Sequence, residues 1–312
     1  MEPAGDAGLN RYTQVIVDEC RRRGIEVTIV DPATGELELR DGPRTVRTIE
    51  SLSELTSAIA FRRCDDKLAT RQVLTAAGLA VPEGQLAASP EDDAAFLAEH
   101  REIVVKPRRG EQGWGISVGV TDVLGLTHAI TAARAIASDV ILERCVPGDD
   151  LRVVVIGGAV VAASVRRPPV VVGDGSSTIA SLVGELSRQR SLATDGASNI
   201  PLDEITERVV RASGYSLDDT LPAGEPLAVR RTANVHTGGT IDDVTSELHP
   251  ALAEVAVAAA AAIGIPVVGM DLIVASPSEP DYVIIEANEQ PGLANHEPQP
   301  TVERFVDLLF PG

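Results

Sequence analysis

The sequence predicts an α+β (α/β) fold built largely from antiparallel hairpins, rather than a doubly wound parallel sheet. Apolar strand-like runs alternate with helical patterns along the chain. Residues 153–156 and 160–165 flank Gly157-Gly158, the composition of a tight hairpin. Two more apolar runs, residues 270–274 and 283–287, lie close together near the end. Both deliver oxygen-bearing side chains to one place.

The elements follow in order. A helix over residues 12–23 and strands over 26–30, 37–39 and 46–49, the last two around Gly42-Pro43, make a small N-terminal α/β unit over residues 1–60. Asp65-Asp66 can cap a helix running to Ala77 and stopped by Gly78. Val81-Pro82 opens an extended segment, and 91–100 is a second helix. Residues 103–107 form a strand that enters a glycine-rich loop and returns through 118–120. A helix over 124–137 and a strand over 140–143 complete a unit spanning 61–145. A turn at Pro147-Gly148-Asp149-Asp150 leads into the second unit, 146–312, which begins with the Gly157-Gly158 hairpin. Residues 173–226, broken by Gly173-Asp174-Gly175 and Pro222-Ala223-Gly224, are an insertion with short helices. Residues 230–240 are a loop or strand edge, 250–263 a helix, and the final hairpin follows.

Composition excludes several function classes. The chain has 312 residues, of which 44 % are hydrophobic, enough for a large core in two or three subdomains. No apolar run approaches the ~20 residues that span a bilayer. The first six residues lack the basic start and apolar centre of a secretion signal, so a cytoplasmic protein is expected. Cys20, Cys64 and Cys145 are odd in number and far apart, which points away from a disulfide framework or a zinc site. A net charge of −19 opposes binding to nucleic acid or anionic membrane, and 3 % aromatic residues leave few stacking platforms. Small-molecule partners are therefore expected, with self-association left open.

The final hairpin carries the chemistry. Asp271 opens its first run, and Glu286 and Asn288 lie two apart in the second, where a strand points them to one face. Two carboxylates and an amide oxygen form a hard donor set that suits Mg²⁺. A hairpin with a polar rim is the plainer alternative. Lys106 ends a strand just before Gly110-x-x-Gly113-x-Gly115, where glycines let backbone N–H groups approach an anion and the ammonium adds charge. The order of Lys and Gly is not that of a P-loop, and no strand–turn–helix dinucleotide fingerprint is present. Lys67 sits at a helix start, where a cation faces an unfavourable dipole unless an anion lies nearby.

Lys67 in Cys64-Asp65-Asp66-Lys67, Lys106 before the glycine loop, Ile141-Leu142-Glu143-Arg144, and Asp271…Glu286-Ala287-Asn288 before Pro291-Gly292 occur in an order that resembles the ATP-grasp superfamily of carboxylate–amine ligases. The match spans about residues 60–310. Gly173-Asp174-Gly175, Arg230-Arg231-Thr232-Ala233-Asn234 through Gly238-Gly239-Thr240, and Asp243-Val244-Thr245 resemble the ATP-grasp part of cyanophycin synthetase and of bifunctional glutathione synthetase. Ser53-Glu54-Leu55-Thr56-Ser57-Ala58, Lys106-Pro107-x-Arg109-Gly110-Glu111-Gln112-Gly113 and the run from Glu286 to Glu297 are similar above all to the ligase domain of N-acetylglutaminylglutamine synthetase, a family that joins an acetyltransferase domain to this one.

The resemblance implies two α+β lobes clasping ATP, 61–145 being the lid lobe and 146–312 the catalytic lobe. It implies a carboxylate activated as acylphosphate and coupled to an amine, with two Mg²⁺ ions that Mn²⁺ can replace. By the same resemblance Lys67 and Lys106 contact ATP phosphates, and Gly110, Gly113, Gly115 and Ser117 belong to a flap over the γ-phosphate. Glu143 and Val146 form the adenine hinge, and Asp149 or Asp150 meets the ribose. Asp271, Glu286 and Asn288 ligate the metals, while Arg230 and Asn234 face the transferred phosphate, with Arg231 the other candidate. Arg166 and Arg167 can face a substrate carboxylate or form a basic rim, and Asn295 and His296 can line the second substrate or a polar loop. Trp114 either shields the phosphates or anchors the flap. The expected products are peptides of amino acids or acylated amino acids; a polymer-extending ligase or a binding module without turnover are the alternatives.

Overall fold

The computed structural model describes residues 8–110, 113–194, 196 and 198–312. Expectations for the first six residues and for Glu111 and Gln112 of the flap lie outside the described residues. The N-terminal unit is one helix and a four-stranded antiparallel meander: α1 (Arg11–Arg22), β1 (Glu26–Asp31), β2 (Glu36–Asp41), β3 (Arg44–Ile49) and β4 (Leu52–Ser53). Asn10 caps α1 by accepting from the Thr13 amide at 2.9 Å. Alternation along β2 and β3 buries Leu37, Leu39 and Val46 against α1.

Next come α2 (Ala58–Asp65), α3 (Lys67–Ala76), β5 (Gly84–Leu86), α4 (Pro90–His100), β6 (Ile103–Pro107), β7 (Ser117–Val120), α5 (Val123–Arg134) and β8 (Val140–Arg144). The strands form an antiparallel sheet in the order β5-β8-β6-β7. Phe96, Leu97, Ile103, Val105, Leu126, Ala129 and Leu142 make its core with α4 and α5. The sequence division places 61–145 in this lobe, yet Ala60, Cys64 and Leu74 of α2 and α3 pack into the core beneath the larger sheet. The two helices are thus the floor on which the small sheet joins the large one.

The second unit contains β9 (Asp149–Ile156), β10 (Ala159–Arg167), β11 (Val170–Val172), α6 (Ile179–Ala193), α7 (Glu204–Ala212), β12 (Pro226–Ala228), β13 (Thr240–Asp243), α8 (Pro250–Ile263), β14 (Val267–Val274), β15 (Tyr282–Asn288) and α9 (Thr301–Leu309). Its antiparallel sheet runs β13-β10-β9-β14-β15. The insertion folds around its own core of Val171, Ile179, Val183, Ile200, Val210, Leu221 and Leu227. Its helix α6 has 15 residues, longer than the short helices expected there. The turn expected over 147–150 is shorter: Asp149 and Asp150 already belong to β9 and pair with Val274 and Ile273.

The two faces of the large sheet explain where a site can lie. One face, carrying Leu151, Val153, Val155, Val268, Met270 and Leu272, is covered by α8 with α2 and α3. On the other, Val154, Ile156, Ala162 and Val267 are covered by the N-terminal unit and α9. The remainder of that second face carries Arg152, Ser164, Arg166, Asp271 and Glu286, beside Ile273 and Val283.

Candidate functional site

One register line crosses the large sheet from edge to edge. Asp243 lies opposite Ser164, Ser164 opposite Arg152, Arg152 opposite Asp271, and Asp271 opposite Glu286. Directly opposed residues on antiparallel strands stand on one face about 5 Å apart, so the row is a continuous polar strip. A second row beside it brings Arg166 opposite Asp150, and a third brings Asn288 opposite Gly269. β15 reaches this arrangement through a bulge between Ile284 and Glu286, where Asp271 and Leu272 are adjacent on β14. Strict alternation would put Ile284 on the face of Glu286. The bulge reverses the parity, so Ile284 and Ala287 both enter the core while Glu286 and Asn288 are freed from it.

Ion pairs fill the strip. Asp271 is held by Arg152, through a short contact to Nε and a 3.1 Å bond from Nη2, and by Arg166 Nη2 at 2.9 Å. Burial opposes ionisation of Asp271, but the two guanidiniums outweigh it and keep the carboxyl below its usual pKa. Arg166 also donates to Asp150 Oδ1 at 2.7 Å. Burial nevertheless raises the Asp150 carboxyl, with the Asp271 charge adding to it against Arg166. His296, 5 % exposed, approaches Ser164 Oγ with Nδ1 at 3.5 Å. Burial, then the charges of Arg152 and Arg166, push its imidazole down to about 4, so it is neutral at pH 7.

Lys67 ties this strip to the glycine loop. Its Nζ lies 2.8 Å from Glu286 Oε1 and donates to the Gly110 carbonyl at 2.9 Å, with only 4 % of the side chain exposed. The unfavourable position of Lys67 at the α3 N-terminus is thereby compensated by a carboxylate. Asp66 caps α3 through the Leu68 and Ala69 amides and receives two bonds from Arg108, which hold its carboxyl down to about 2. Lys67 and the loop entrance are thus fixed to each other by Asp66–Arg108, a link the sequence did not suggest. Gly113 and Gly115 have φ of 78° and 73°, which glycine adopts without steric cost, and Gly113 faces Asn234 of the second unit. Ser117 begins β7 opposite Val105. Trp114 is 67 % exposed.

In the small sheet, Lys106 Nζ lies 2.7 Å from Glu143 Oε2 and Arg71 Nη1 lies 2.7 Å from Oε1. Two cations on one carboxylate leave a buried excess of positive charge. Glu143 is paired with Gly84 on one side and Val104 on the other, so its backbone belongs to the sheet; chain outside the strand begins at Cys145 and Val146.

Other expected residues are distributed differently. Arg166 and Arg167 do not act as a pair: Arg166 joins the polar strip, whereas Arg167 leaves it for Asp242 at 2.8 Å. Neighbours on a strand face opposite ways, and β10 is regular there. Asp149 lies toward Arg167 at 3.9 Å. Arg230 is 5 % exposed and donates to Asp203 and Thr206 at 2.9 Å, anchoring the insertion rather than opening on the strip. Arg231 reaches instead to Glu102 of the small sheet at 3.0 Å. Asn288 Oδ1 accepts from the Gln290 amide at 3.0 Å, and Asn234 Oδ1 from the His236 amide at 2.9 Å. Asn295 donates to Tyr12 Oη at 3.3 Å, and Ser51 donates to the Pro291 carbonyl at 2.7 Å, so the N-terminal unit braces the segment after β15. Among the described residues no three acidic, His or Cys side chains already converge as a metal cluster. Asp271 and Glu286 are cross-strand partners with oxygen donors, and Asn288 is on the same side one row away; these fit a hard divalent cation once their guanidinium and ammonium partners exchange.

A RimK-like ATP-grasp domain matches residues 64–169. The cyanophycin synthetase of Trichormus variabilis is 33 % identical over 322 residues, spanning 98 % of this chain and 36 % of that protein. Residues 64–169 thus carry an ATP-grasp match, and similarity to cyanophycin synthetase extends along 98 % of the chain. The glutathione biosynthesis bifunctional protein GshAB of Clostridium perfringens is 30 % identical over 328 residues, covering 98 % of the chain and 42 % of the relative. The chain thus spans well under half the length of these curated relatives. Among solved structures, a bifunctional glutathione synthetase from Pasteurella multocida superposes with a TM-score of 0.67 at 26 % identity, over 98 % of this chain and 44 % of that one. The D-alanine–D-alanine ligase of Bacillus anthracis, at 14 % identity and a TM-score of 0.50, shares the fold. The antiparallel α+β architecture is that of ATP-grasp ligases, as the motif order implied.

Proposed function

We propose that this chain binds ATP and Mg²⁺ between its two sheets and couples a carboxylate to an amine, making an amide or peptide bond between amino acids or small peptides. The observation that carries the reading is Lys67: one buried ammonium touches both Glu286 on the polar strip and the Gly110 carbonyl at the loop entrance. That contact supports assigning Lys67, Gly110 and Glu286 to one nucleotide–metal site. Mg²⁺ at Asp271, Glu286 and Asn288 would neutralise phosphate charge.

The chain's own residues supply positioning and cationic stabilisation, the main requirements of phosphoryl transfer. Lys67 and Lys106 take phosphate oxygens, and an arriving polyphosphate answers the positive excess at Lys106–Glu143–Arg71. The backbone from Val146 onward serves the adenine, with the acidic start of β9 beside the ribose. The Gly110–Ser117 loop closes over the reacting phosphate and excludes water from the acylphosphate, whose attack by the amine releases phosphate. No protein nucleophile takes part. Arg166, already among anionic groups, faces the acyl substrate, and His296 lines its pocket as a neutral imidazole.

Similarity to cyanophycin synthetase along 98 % of the chain favours an acceptor that extends a peptide; the likeness to N-acetylglutaminylglutamine synthetase rests on motifs alone. A phosphate-release screen pairing amino acids, acylated amino acids and short peptides as acids with amino acids as amines, followed by mass spectrometry, tests the reading. ADP and phosphate should form only when acid and amine are both present. ATP turnover indifferent to both, or formation of AMP, would overturn it.

A further inference from the structure

Arg152 and Gly269 form a device that the catalytic reading leaves unused. Arg152 grips Asp271 with two guanidinium nitrogens, and its side chain is 12 % exposed. Gly269 stands two residues before Asp271 on the same face of β14, and its φ lies outside the left-handed range. Backbone conformation therefore does not demand glycine there. Space does: a Cβ at 269 would meet Arg152 Nη1 at 2.7 Å and Cδ at 3.0 Å. The missing side chain is the seat in which Arg152 lies against Asp271.

A bidentate guanidinium and a divalent cation compete for the same carboxylate oxygens, and each repels the other at this distance. Of the strip's other carboxylates, Asp150 is engaged by Arg166 and Glu286 by Lys67, so the cations already held there oppose a further one beside Arg152. A polyphosphate arriving with the metal changes this balance, since it offers the displaced guanidinium a new anionic partner. We propose that Arg152, seated by Gly269, is a positioning residue that keeps Asp271 closed to divalent cations until nucleotide arrives, so that metal and nucleotide bind as one unit. The proposal rests on the metal–nucleotide reading above.

Mn²⁺ binding, followed by loss of the free-ion paramagnetic resonance signal with and without ADP, tests it. Wild-type protein should take up Mn²⁺ strongly only with ADP. Arg152→Gln removes the competing charge, and Gly269→Ala displaces it while leaving Asp271 a nearby counter-ion. Each should raise nucleotide-free Mn²⁺ affinity by about tenfold or more, and adding Asp271→Asn should abolish the gain. If Arg152→Gln does not fold, Gly269→Ala decides alone. Folded variants that bind Mn²⁺ without ADP no better than wild type overturn the inference and leave the ligase reading standing. Wild-type protein that binds no Mn²⁺ even with ADP overturns both.

Discussion

Replacing Glu143 should unsettle the small sheet far more than replacing the lysine beside it. Glu143 is the one carboxylate between Lys106 and Arg71, at 2.7 Å from each, and the Lys106 and Glu143 side chains are both 3 % exposed. Glu143→Gln keeps the shape but leaves a buried ammonium and a partly buried guanidinium facing a neutral amide. Removing one partner of a buried ion pair costs about 3–5 kcal/mol. Lys106→Met leaves Arg71 and Glu143 as a neutral pair, and the thioether fills much of the lysine stem's space, so the cost should stay within about 1 kcal/mol. Urea unfolding followed by circular dichroism gives both values from midpoints and slopes. Lys106→Met should also lose the stabilisation that ATP confers on the wild type, because stabilisation by a ligand scales with its affinity for the folded state. Equal destabilisation by the two substitutions, or a larger loss for Lys106→Met, would refute the charge argument.

Glu286→Gln should reduce ATP-dependent coupling by at least about a hundredfold, in line with losing a principal electrostatic group; native circular dichroism should show the fold retained, with a lower urea midpoint because the buried Lys67 loses its carboxylate. His296 gives a pH signature. Its folded pKa of about 4 lies below the usual 6.5, so the unfolded chain binds the extra proton between those values. Stability from this group is complete above about pH 6.5 and falls by about 3 kcal/mol as pH drops to 4. His296→Asn should flatten that part of the stability–pH curve, measured by urea midpoints; an unchanged slope would remove His296 from the account.

Local signals made much of the architecture legible. Pro250 at the start and Gly264, with φ of 79°, just past the end bounded α8 where the structure has it. Gly157-Gly158 marked the central hairpin, and period-2 spacing placed Glu286 and Asn288 on one side. What escaped was long-range or depended on parity. The bulge before Glu286 has no glycine to announce it, yet it decides which residues of β15 enter the core. The partner of Asp271 lies 119 residues away in Arg152. A charged residue within an otherwise valine-rich central strand was the available signal, because such a residue must be paired when buried. Asp149 and Asp150 stand closer to Arg152 along the chain, yet register across the sheet sets it opposite Asp271. The support that Tyr12 and Ser51 give to the 291–296 segment depends on how the N-terminal unit docks, which no local pattern encodes.

A crystal structure with a non-hydrolysable ATP analogue and Mn²⁺ tests the central claim most directly, since anomalous scattering locates the metal independently of the phosphates. The account predicts metal peaks bonded to Asp271 and Glu286 oxygens, the triphosphate between Lys67 and Lys106, and Arg152 withdrawn from Asp271. Nucleotide bound elsewhere, or Arg152 still closed on Asp271 with metal and triphosphate in place, would contradict it.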